Sequence, residues 1–297
     1  MKFQLLYPLL IIIASSSYGI LSTIIKVAMG QGFTSGEAVT SQYMVGFFLA
    51  LILFVITQRS LPRLNKTGLL TIVCAGIFTA TTGIIYGKSL EYLTASLAVV
   101  LFFQFTWIGM FIDCILHKRF PSRPEIISLV FLLAGTILAA GILDTDLSAI
   151  AWQGWVYGLL AATSFAIFIQ INSRKVEGIS IISRTLLMSF VALIVISIFL
   201  SPEILWNGTL VNSPLWIFGL ILGVFGIILP ILLFSIAAPK VGGSLSSILS
   251  AMELPVAILA SVAVLHEKLT IIQVFGIVIV LIGMVLPTVI AQRKNSV

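Results

Sequence analysis

The sequence predicts an all-α polytopic membrane protein, with ten transmembrane helices arranged as two inverted five-helix repeats. Three observations support this prediction. Ten long apolar runs are separated by loops too short to form domains of their own. Hydrophobic residues make up 60% of the 297 residues and charged residues only 9%, whereas soluble domains usually carry about 25% charged residues. Finally, short motifs recur at separations of 147 to 149 residues.

The apolar runs are long enough to cross a bilayer, since a spanning helix needs about 20 mostly apolar residues. The predicted spans cover residues 5–28, 38–57, 68–87, 93–113, 124–143, 153–172, 181–200, 215–237, 243–264 and 270–290. The first run continues beyond the length of a signal-peptide core, so we expect it to be retained as a helix. Together the spans leave no room for a soluble catalytic domain.

The positions of Lys and Arg predict the orientation of the chain. With the N-terminus in the cytoplasm, thirteen of the 16 basic residues, including Arg59, Arg63 and Arg184, fall on the cytoplasmic side. The positive-inside rule expects this asymmetry. Four tryptophans fall at predicted outer ends, where indole rings favour the interface: Trp152, Trp155, Trp206 and Trp216. We therefore predict a multi-pass protein of the cytoplasmic membrane with both termini in the cytoplasm.

The repeated motifs divide the chain into two predicted domains, residues 1–146 and 147–297. Ala14–Tyr18 matches Ala161–Phe165, Ser96-Leu97 matches Ser244-Leu245, Leu116–Phe120 matches Leu265–Leu269, and Gly135 matches Gly283. Each domain contains five spans, an odd number, so the second must be inverted relative to the first. Inverted repeats are typical of carriers with a site near the bilayer midplane. A duplicated helical bundle without transport is the alternative.

The segment from Ser244 to Leu269, SLSSILSAMELPVAILASVAVLHEKL, is the most distinctive part of the sequence. It contains Glu253 and Pro255 within a predicted helix and Glu267 at its end, and it is followed by Gln273, Gly276 and Gly283. With this segment and its repeat architecture, the chain resembles the ten-helix EamA-type branch of the drug/metabolite transporter (DMT) superfamily over essentially its whole length. The first repeat departs from the family pattern, because Gln104, Thr106 and His117-Lys118 stand where proline and a terminal acid are common.

The resemblance implies secondary active transport of small organic metabolites by alternating access. It implies a central cavity formed by the first, third and fourth helices of each repeat. Export of amino acids, related metabolites or drug-like compounds is the activity that it favours. Uptake of a vitamin or a quaternary amine, and flipping of a lipid-linked substrate, are the alternatives.

Glu253 is the clearest candidate for a functional residue. It lies ten residues after the predicted start of the ninth span, where an ionisable side chain costs about 2.5–3.5 kcal/mol. Pro255 removes a backbone donor nearby. A carboxyl group there can bind a cationic group or take up a proton as the carrier changes face, so Glu253 is predicted as both a substrate-binding and a coupling residue. Alternatively, it satisfies polar backbone beside the helix break.

Other polar side chains within the spans are candidates for the lining of a cavity. Gln104 and Trp107 are three residues apart and share a helical face, where an amide and an indole can hold an aromatic or cationic solute. Hydroxyl groups occur on spans one, three and six. The predicted substrate-binding residues are Ser16, Tyr18, Thr82, Tyr86, Gln104, Trp107, Ser164 and Glu253. Ordinary packing and hydrogen bonding between helices is the alternative for these side chains.

The sequence argues against several other classes of function. The basic residues are scattered singly, without the clustered face of a nucleic-acid-binding protein, and no GxxxxGK[ST] motif for ATP hydrolysis is present. His117 and His266 fall on opposite membrane faces, and Cys74 and Cys114 lack metal-ligand spacing. We therefore expect no enzymatic activity, no metal and no cofactor. The expected partners are a small-molecule substrate, the lipid bilayer and protons, in a monomer or homodimer.

Overall fold

The computed structural model of the protein describes residues 2–58, 65–139, 151–200, 203–266 and 268–294, which form ten long helices. The first repeat contains α1 (Lys2–Gly19 and Leu21–Gly30), α2 (Ser35–Thr57), α3 (Lys66–Tyr92), α4 (Ala95–Phe102 and Phe105–Leu116) and α5 (Arg123–Ala139). The second contains α6 (Trp152–Asn172), α7 (Ile181–Phe199), α8 (Leu215–Gly223, Val224–Ile228 and Leu229–Val241), α9 (Gly243–Leu249, Ser250–Met252 and Glu253–Leu265) and α10 (Ile271–Lys294). Two single turns, Glu203–Leu205 and Thr209–Asn212, connect α7 to α8.

Each of the ten predicted spans coincides with one of these helices, which confirms the predicted all-α membrane fold. Within the described residues, eight helices are long and apolar enough to cross a membrane by length and composition. The other two are α5, with 17 residues, and α10, whose apolar portion is Ile271–Pro287. The predicted boundary between residues 146 and 147 lies outside the described residues, as do Arg59, Arg63 and Glu267. That boundary therefore stays a prediction.

Helix α3 is longer than the predicted third span, since it continues past residue 87 to Tyr92. Lys88 and Glu91 form an ion pair at 3.1 Å on one face of this last part, and such pairs one turn apart support a helix. Thr94 then starts α4, because its hydroxyl accepts a hydrogen bond from the N–H of Leu97 at 3.3 Å. The polar residues after residue 87 suggest a loop in the sequence, but in the structure they form the last part of α3.

Two helices, α4 and α9, break at equivalent positions of the two repeats. In α9 the break is the tight turn Ser250–Met252, and Pro255 has no N–H to donate to the turn before it. In α4 the break lies at Gln104, whose N–H donates to the carbonyl of Leu101 at 3.2 Å, three residues back. The first repeat therefore keeps the break although it lacks the proline.

The helices pack as expected for two inverted repeats, in which α1–α5 correspond to α6–α10. Equivalent helices contact each other, α2 with α7, α4 with α9 and α5 with α10. The other main contacts occur in three matched pairs. The contact of α3 with α6 corresponds to that of α8 with α1, and the contact of α2 with α8 corresponds to that of α7 with α3. The contact of α4 with α6 corresponds to that of α9 with α1. Because exchange of the repeats leaves this pattern unchanged, an approximate two-fold axis relates them.

Small residues allow the closest of these helix contacts. A Cβ on Gly135 of α5 would lie 2.8 Å from the carbonyl oxygen of Gly276 in α10. Gly219 and Gly223, a spacing that predicts close packing, lie against α2, where a Cβ on Gly223 would lie 2.9 Å from the backbone nitrogen of Gly46. Larger residues at these positions would separate the helices.

The outer surface of the bundle carries large apolar side chains, whereas its interior contains buried polar groups. Ile56 and Ile115 are 76% and 74% exposed. A soluble monomer rarely exposes large contiguous apolar patches, but lipid tails are as apolar as these side chains. Ser15, Ser246 and Glu253, in contrast, are buried. Polar side chains are therefore buried inside the bundle, behind an apolar outer surface.

Candidate functional site

A chamber lies at the centre of the bundle between helices of both repeats. Its cavity volume is about 50 Å³. Its lining comes from α1, α2, α3, α4, α6, α8 and α9 and consists of Tyr18, Leu21, Ile25, Val39, Gln42, Tyr43, Thr79, Thr82, Gly83, Tyr86, Phe102, Phe165, Gly226 and Glu253. The lining residues of α1 and α3 lie in the second half of each helix, and those of α2 lie in its first half. In the predicted orientation, these parts of the three helices are nearer the outer side of the membrane.

Glu253 carries the only carboxyl group among the described residues that line the chamber. It follows the tight turn of α9 directly and is only 3% exposed. Its Oε2 is buried and has no hydrogen-bond partner within the described ranges. Helix α1 approaches so closely that a Cβ on Gly19 would lie 2.6 Å from the carbonyl oxygen of Glu253. Because burial of an unpartnered carboxyl is costly, Glu253 is suited to bind a ligand or a proton.

Gln42 and Tyr43 of α2 supply further polar groups to the chamber. The hydroxyl of Tyr43 donates to the carbonyl of Thr79 at 2.5 Å and joins α2 to α3. Two glycines leave the space that these side chains occupy. A Cβ on Gly83 would lie 2.7 Å from the Tyr43 hydroxyl oxygen, and a Cβ on Gly226 would lie 2.5 Å from Nε2 of Gln42. A side chain at position 83 would press against the Tyr43 ring, whereas one at position 226 would displace the ends of the Gln42 and Leu21 side chains.

A π-helical turn in α8, Val224–Ile228, brings Gly226 to the chamber. Its wider geometry is visible in the N–H of Leu229, which donates to the carbonyl of Val224 five residues earlier. Pro230 follows and cannot donate to the carbonyl of Gly226, so the regular helical pattern is interrupted here. Such turns are frequent at functional sites, and this one lies beside Gln42.

Aromatic rings form much of the remaining chamber wall. Tyr18 meets Phe165 edge to face with ring centroids 5.4 Å apart, and Phe102 lies 4.9 Å from Tyr86 and 5.0 Å from Phe165. Aromatic faces attract cations. Among the described residues of the lining there is no Lys, Arg or His. The chamber thus combines a single carboxyl group with apolar and aromatic surface among its described lining residues.

The structure brings together four of the eight predicted binding residues, Tyr18, Thr82, Tyr86 and Glu253, in the lining of the chamber. Ser164 lies behind Thr82, with 2.9 Å between their hydroxyl oxygens. It also donates to the carbonyl of Phe78 at 3.0 Å. Ser164 therefore supports the chamber wall by joining α6 to α3.

The other three predicted residues, Ser16, Gln104 and Trp107, lie apart from this lining. The hydroxyl of Ser16 donates to the carbonyl of Ile12 in its own helix at 2.8 Å. The indole of Trp107 donates to Oε1 of Gln104 at 2.8 Å, and Nε2 of Gln104 donates to the carbonyl of Val100 at 3.2 Å. Their polar groups are thus satisfied locally, and a role in substrate binding stays a prediction.

Two chamber residues, Gln42 and Tyr43, were missed by the sequence reasoning. Gln42 is 4% exposed and Tyr43 3% exposed. The available signal was an amide side chain within an otherwise apolar second span. The resemblance implies a cavity formed by the first, third and fourth helices of each repeat, a set that does not include α2.

Charged residues connect the two repeats at the predicted cytoplasmic end. Arg119 donates to Asp113 at 2.6 Å and to both carboxylate oxygens of Glu125 at 2.8 and 2.9 Å, and the hydrogen bond to Glu125 raises the pKa of Arg119 above its usual value. Glu125 of α5 also accepts a hydrogen bond from Ser244 at the start of α9. We name this contact between the repeats the Glu125–Ser244 link.

Hydrogen bonds also connect helices at the opposite end of the bundle. Nζ of Lys26 donates to the carbonyl of Leu90 at 2.6 Å, which joins α1 to α3. The hydroxyl of Ser35 donates to Glu91 at 2.5 Å, which joins α2 to α3. The bundle is therefore held together by polar contacts at both ends.

The described residues contain no group of three or more His, Cys, Asp or Glu side chains that could hold a metal ion. His117 follows α4, where its Nδ1 lies 3.3 Å from Oδ1 of Asp113. His266 follows α9 in a left-handed conformation with φ of 56°. Cys74 and Cys114 are free thiols.

Comparisons with known proteins agree with this architecture. A model of the EamA-like transporter family matches the chain twice, over residues 5–141 and 152–289. A protein solved by crystallography has the same fold, with a TM-score of 0.70 at 11% sequence identity and coverage of 99% of each chain. At this identity the likeness concerns the fold alone. A search of curated proteins finds no match.

Proposed function

Because the chain belongs to the EamA-like transporter family, we propose that it is a secondary active transporter that moves small organic metabolites across the cytoplasmic membrane by alternating access. One observation carries the proposal: the chamber between the two repeats contains a buried carboxyl oxygen without a partner in the described part of the chain. Carriers with inverted repeats place their substrate sites between the repeats. The Glu125–Ser244 link joins the two repeats at the predicted cytoplasmic end, and it is a contact that alternating access would break.

The lining of the chamber favours a substrate with an amine or another cationic group. An anionic solute would meet the carboxyl of Glu253 without a basic residue among the described lining residues to compensate. The rings of Tyr18, Tyr86 and Phe165 offer apolar and π surface, and a cation–π contact contributes about 0.5–2 kcal/mol. Quaternary amines and amine-bearing drug-like compounds combine these features, whereas an amino acid would also bring a carboxylate to a lining without a described basic residue.

Glu253 is also the proposed coupling residue. Its side chain can hold a proton or pair with a cationic substrate, but not both at once. Binding of the substrate would therefore release the proton, and this competition would couple substrate movement to a proton gradient. Buried acidic residues in membrane proteins often serve as such proton relays.

Export is the direction that we propose, on the basis of the family resemblance. The same chamber would serve uptake, because a carrier moves its substrate as the gradients dictate. A strain that lacks the protein should accumulate the transported amine and become more sensitive to it. Loss of growth on that compound as a nutrient would instead indicate uptake.

The proposal is tested by ligand binding and transport with the purified protein. A ligand that binds the folded protein raises the unfolding temperature, so we would screen amino acids, amines, nucleobases, vitamins and carboxylic acids by thermal unfolding in detergent. Amines should stabilise the protein and undergo counterflow in proteoliposomes. Glu253→Gln should weaken their binding at least about tenfold, because a hydrogen bond to a charged group contributes about 1.5–3 kcal/mol.

Glu37→Gln is the matched control for this experiment. Glu37 lies outside the chamber and forms a capping box with Thr34 at the start of α2, and glutamine preserves such a box. The control should therefore bind amines like the wild type. Stabilisation by carboxylic acids alone, or an equal loss of amine binding in both variants, would contradict the proposal.

A further inference from the structure

A second pocket lies at the predicted cytoplasmic end, between the start of α1, the start of α7 and the end of α8. Its cavity volume is about 310 Å³, and the described residues that line it differ from those of the chamber. Three of them are basic, Lys175, Arg184 and Lys240, and none of those described is acidic. The pocket therefore has a strongly positive lining.

Arg184 is the most unusual of these basic residues. It lies in the first turn of α7 and is only 4% exposed. Its Nη2 donates to the side-chain and backbone oxygens of Asn172, but its Nε is buried and has no acceptor within the described residues. No carboxylate of the described ranges forms an ion pair with it. A guanidinium keeps its charge, and a buried charge without a counter-ion is strongly destabilising.

Ser235 of α8 is a second unsatisfied donor in the same pocket. It is 7% exposed, and its Oγ has no hydrogen-bond partner in the part of the chain that the structure describes. Lys240 lies exposed near the end of α8. Lys175 contacts Glu177 at 3.5 Å, but both side chains are at least 75% exposed, and such pairs contribute little. The positive charge of the pocket therefore remains largely uncompensated.

We propose that this pocket binds a phosphate group, either free in solution or in the headgroup of an anionic phospholipid. Guanidinium groups bind phosphate oxygens through two parallel hydrogen bonds, and the Nε of Arg184 has no acceptor within the described residues. Ser235 can donate a further hydrogen bond, and the two lysines balance the remaining charge. The predicted position at the cytoplasmic surface is accessible to soluble anions and to anionic lipids of that leaflet. This site is separate from the chamber and independent of the transport proposal.

The test measures thermal unfolding of the delipidated full-length protein in detergent with two phosphate-bearing probes. Inorganic phosphate is compared with chloride at equal ionic strength, and dioleoylphosphatidylglycerol is compared with dioleoylphosphatidylcholine in mixed micelles. We expect a saturable rise in the unfolding temperature with at least one probe, because the probe binds the folded state. A response to both probes identifies a site open to free phosphate, and a response to phosphatidylglycerol alone identifies a lipid headgroup site.

Three variants connect this response to the pocket. Arg184→Gln should weaken binding at least about tenfold. Lys240→Gln should also weaken it, and this exposed position tests the site even if the Arg184 variant fails to fold. Arg174→Gln is the matched control, because Arg174 is exposed and is not among the lining residues. No response to either probe, a wild-type response in Lys240→Gln, or an equal loss in Arg174→Gln would overturn the proposal.

Discussion

Glu253 is the residue on which the proposed mechanism depends. An acidic side chain within a span costs about 2.5–3.5 kcal/mol on insertion. Other buried polar side chains recover part of their cost through backbone carbonyls, as Ser15 does by donating to Ile11 at 2.8 Å. Oε2 of Glu253 has no such partner within the described residues. A substrate cation or a proton would compensate for this burial.

Glu253→Gln should uncouple transport from the pH gradient, because an amide cannot take up and release a proton at this position. In proteoliposomes, the variant should lose the acceleration of substrate movement by an imposed pH gradient. Any remaining counterflow should be insensitive to pH. A pH dependence equal to that of the wild type would exclude Glu253 as the coupling residue.

Tyr86 and Trp107 should respond differently to substitution, because only Tyr86 is among the described lining residues of the chamber. Tyr86→Leu should reduce affinity for a cationic substrate about two- to thirtyfold, the range of one cation–π contact. Trp107→Leu should leave this affinity near that of the wild type, because the indole donates a hydrogen bond to Gln104 and does not line the chamber. Titration of substrate binding with both variants decides the point. A larger loss in Trp107→Leu would place the substrate elsewhere.

Some candidate residues can be recognised in the sequence because their chemistry is unusual for their position. An acid within an apolar span is visible in the sequence, so Glu253 could be identified directly. Gln104 and Trp107 were correctly expected to share a face, but spacing within one helix does not define its rotation relative to its neighbours. Arg184 was counted among the cytoplasmic basic residues, and its burial depends on the packing of α7 against Asn172 and α8. Such contacts cannot be predicted from local sequence.

At the level of the elements, the interrupted helices shape the chamber. Pro230 predicts an irregularity in α8, and the π-helical turn lies directly before it. Pro255 similarly follows the break in α9. The break at Gln104 in α4 has no proline and was not predicted. The break in α9 lies at the equivalent position of the second repeat. The alignment of the two repeats could therefore have predicted the break in α4, although no proline in α4 indicates it.

Gly226→Ala should reduce transport by narrowing the chamber. The added Cβ would lie 2.5 Å from Nε2 of Gln42 and 2.8 Å from a side-chain carbon of Leu21, so both side chains, which line the chamber, would have to shift. We expect slower substrate counterflow. Gly30→Ala is the control, because a Cβ on Gly30 meets nothing within 4 Å. Wild-type counterflow in Gly226→Ala would show that this turn does not border the substrate.

The whole molecule consists of two related halves. The pattern of helix contacts stays the same when α1–α5 are exchanged with α6–α10. The odd number of spans in each repeat predicted the inversion correctly. The pairing of particular helices, such as α5 with α10, could not be predicted because it depends on which faces fit together in three dimensions. The Glu125–Ser244 link is an example, since it joins residues 119 positions apart in the sequence.

Ser244→Ala should shift the protein towards a state that is open at the predicted cytoplasmic end. It removes a hydrogen bond between the repeats, and a bond to a charged acceptor contributes about 1.5–3 kcal/mol. Spin labels at the exposed positions Phe120 and Lys240 should show a larger population of long distances. Ser122→Ala is the control, because Ser122 also donates to Glu125, at 2.8 Å, but within the same repeat. Equal distance distributions in all three proteins would exclude the link as a gate.

The most direct test of the central claim is the accessibility of the chamber from the two sides of the membrane. With Cys74 and Cys114 replaced by alanine, Thr82→Cys places a single thiol in the chamber. A membrane-impermeant thiol reagent is applied to sealed vesicles of each orientation. Val130→Cys, at a position that is 60% exposed on α5, is the control that should face lipid and react from neither side. Alternating access predicts that the chamber thiol reacts from both sides, and reaction from neither side or from one side only would contradict it.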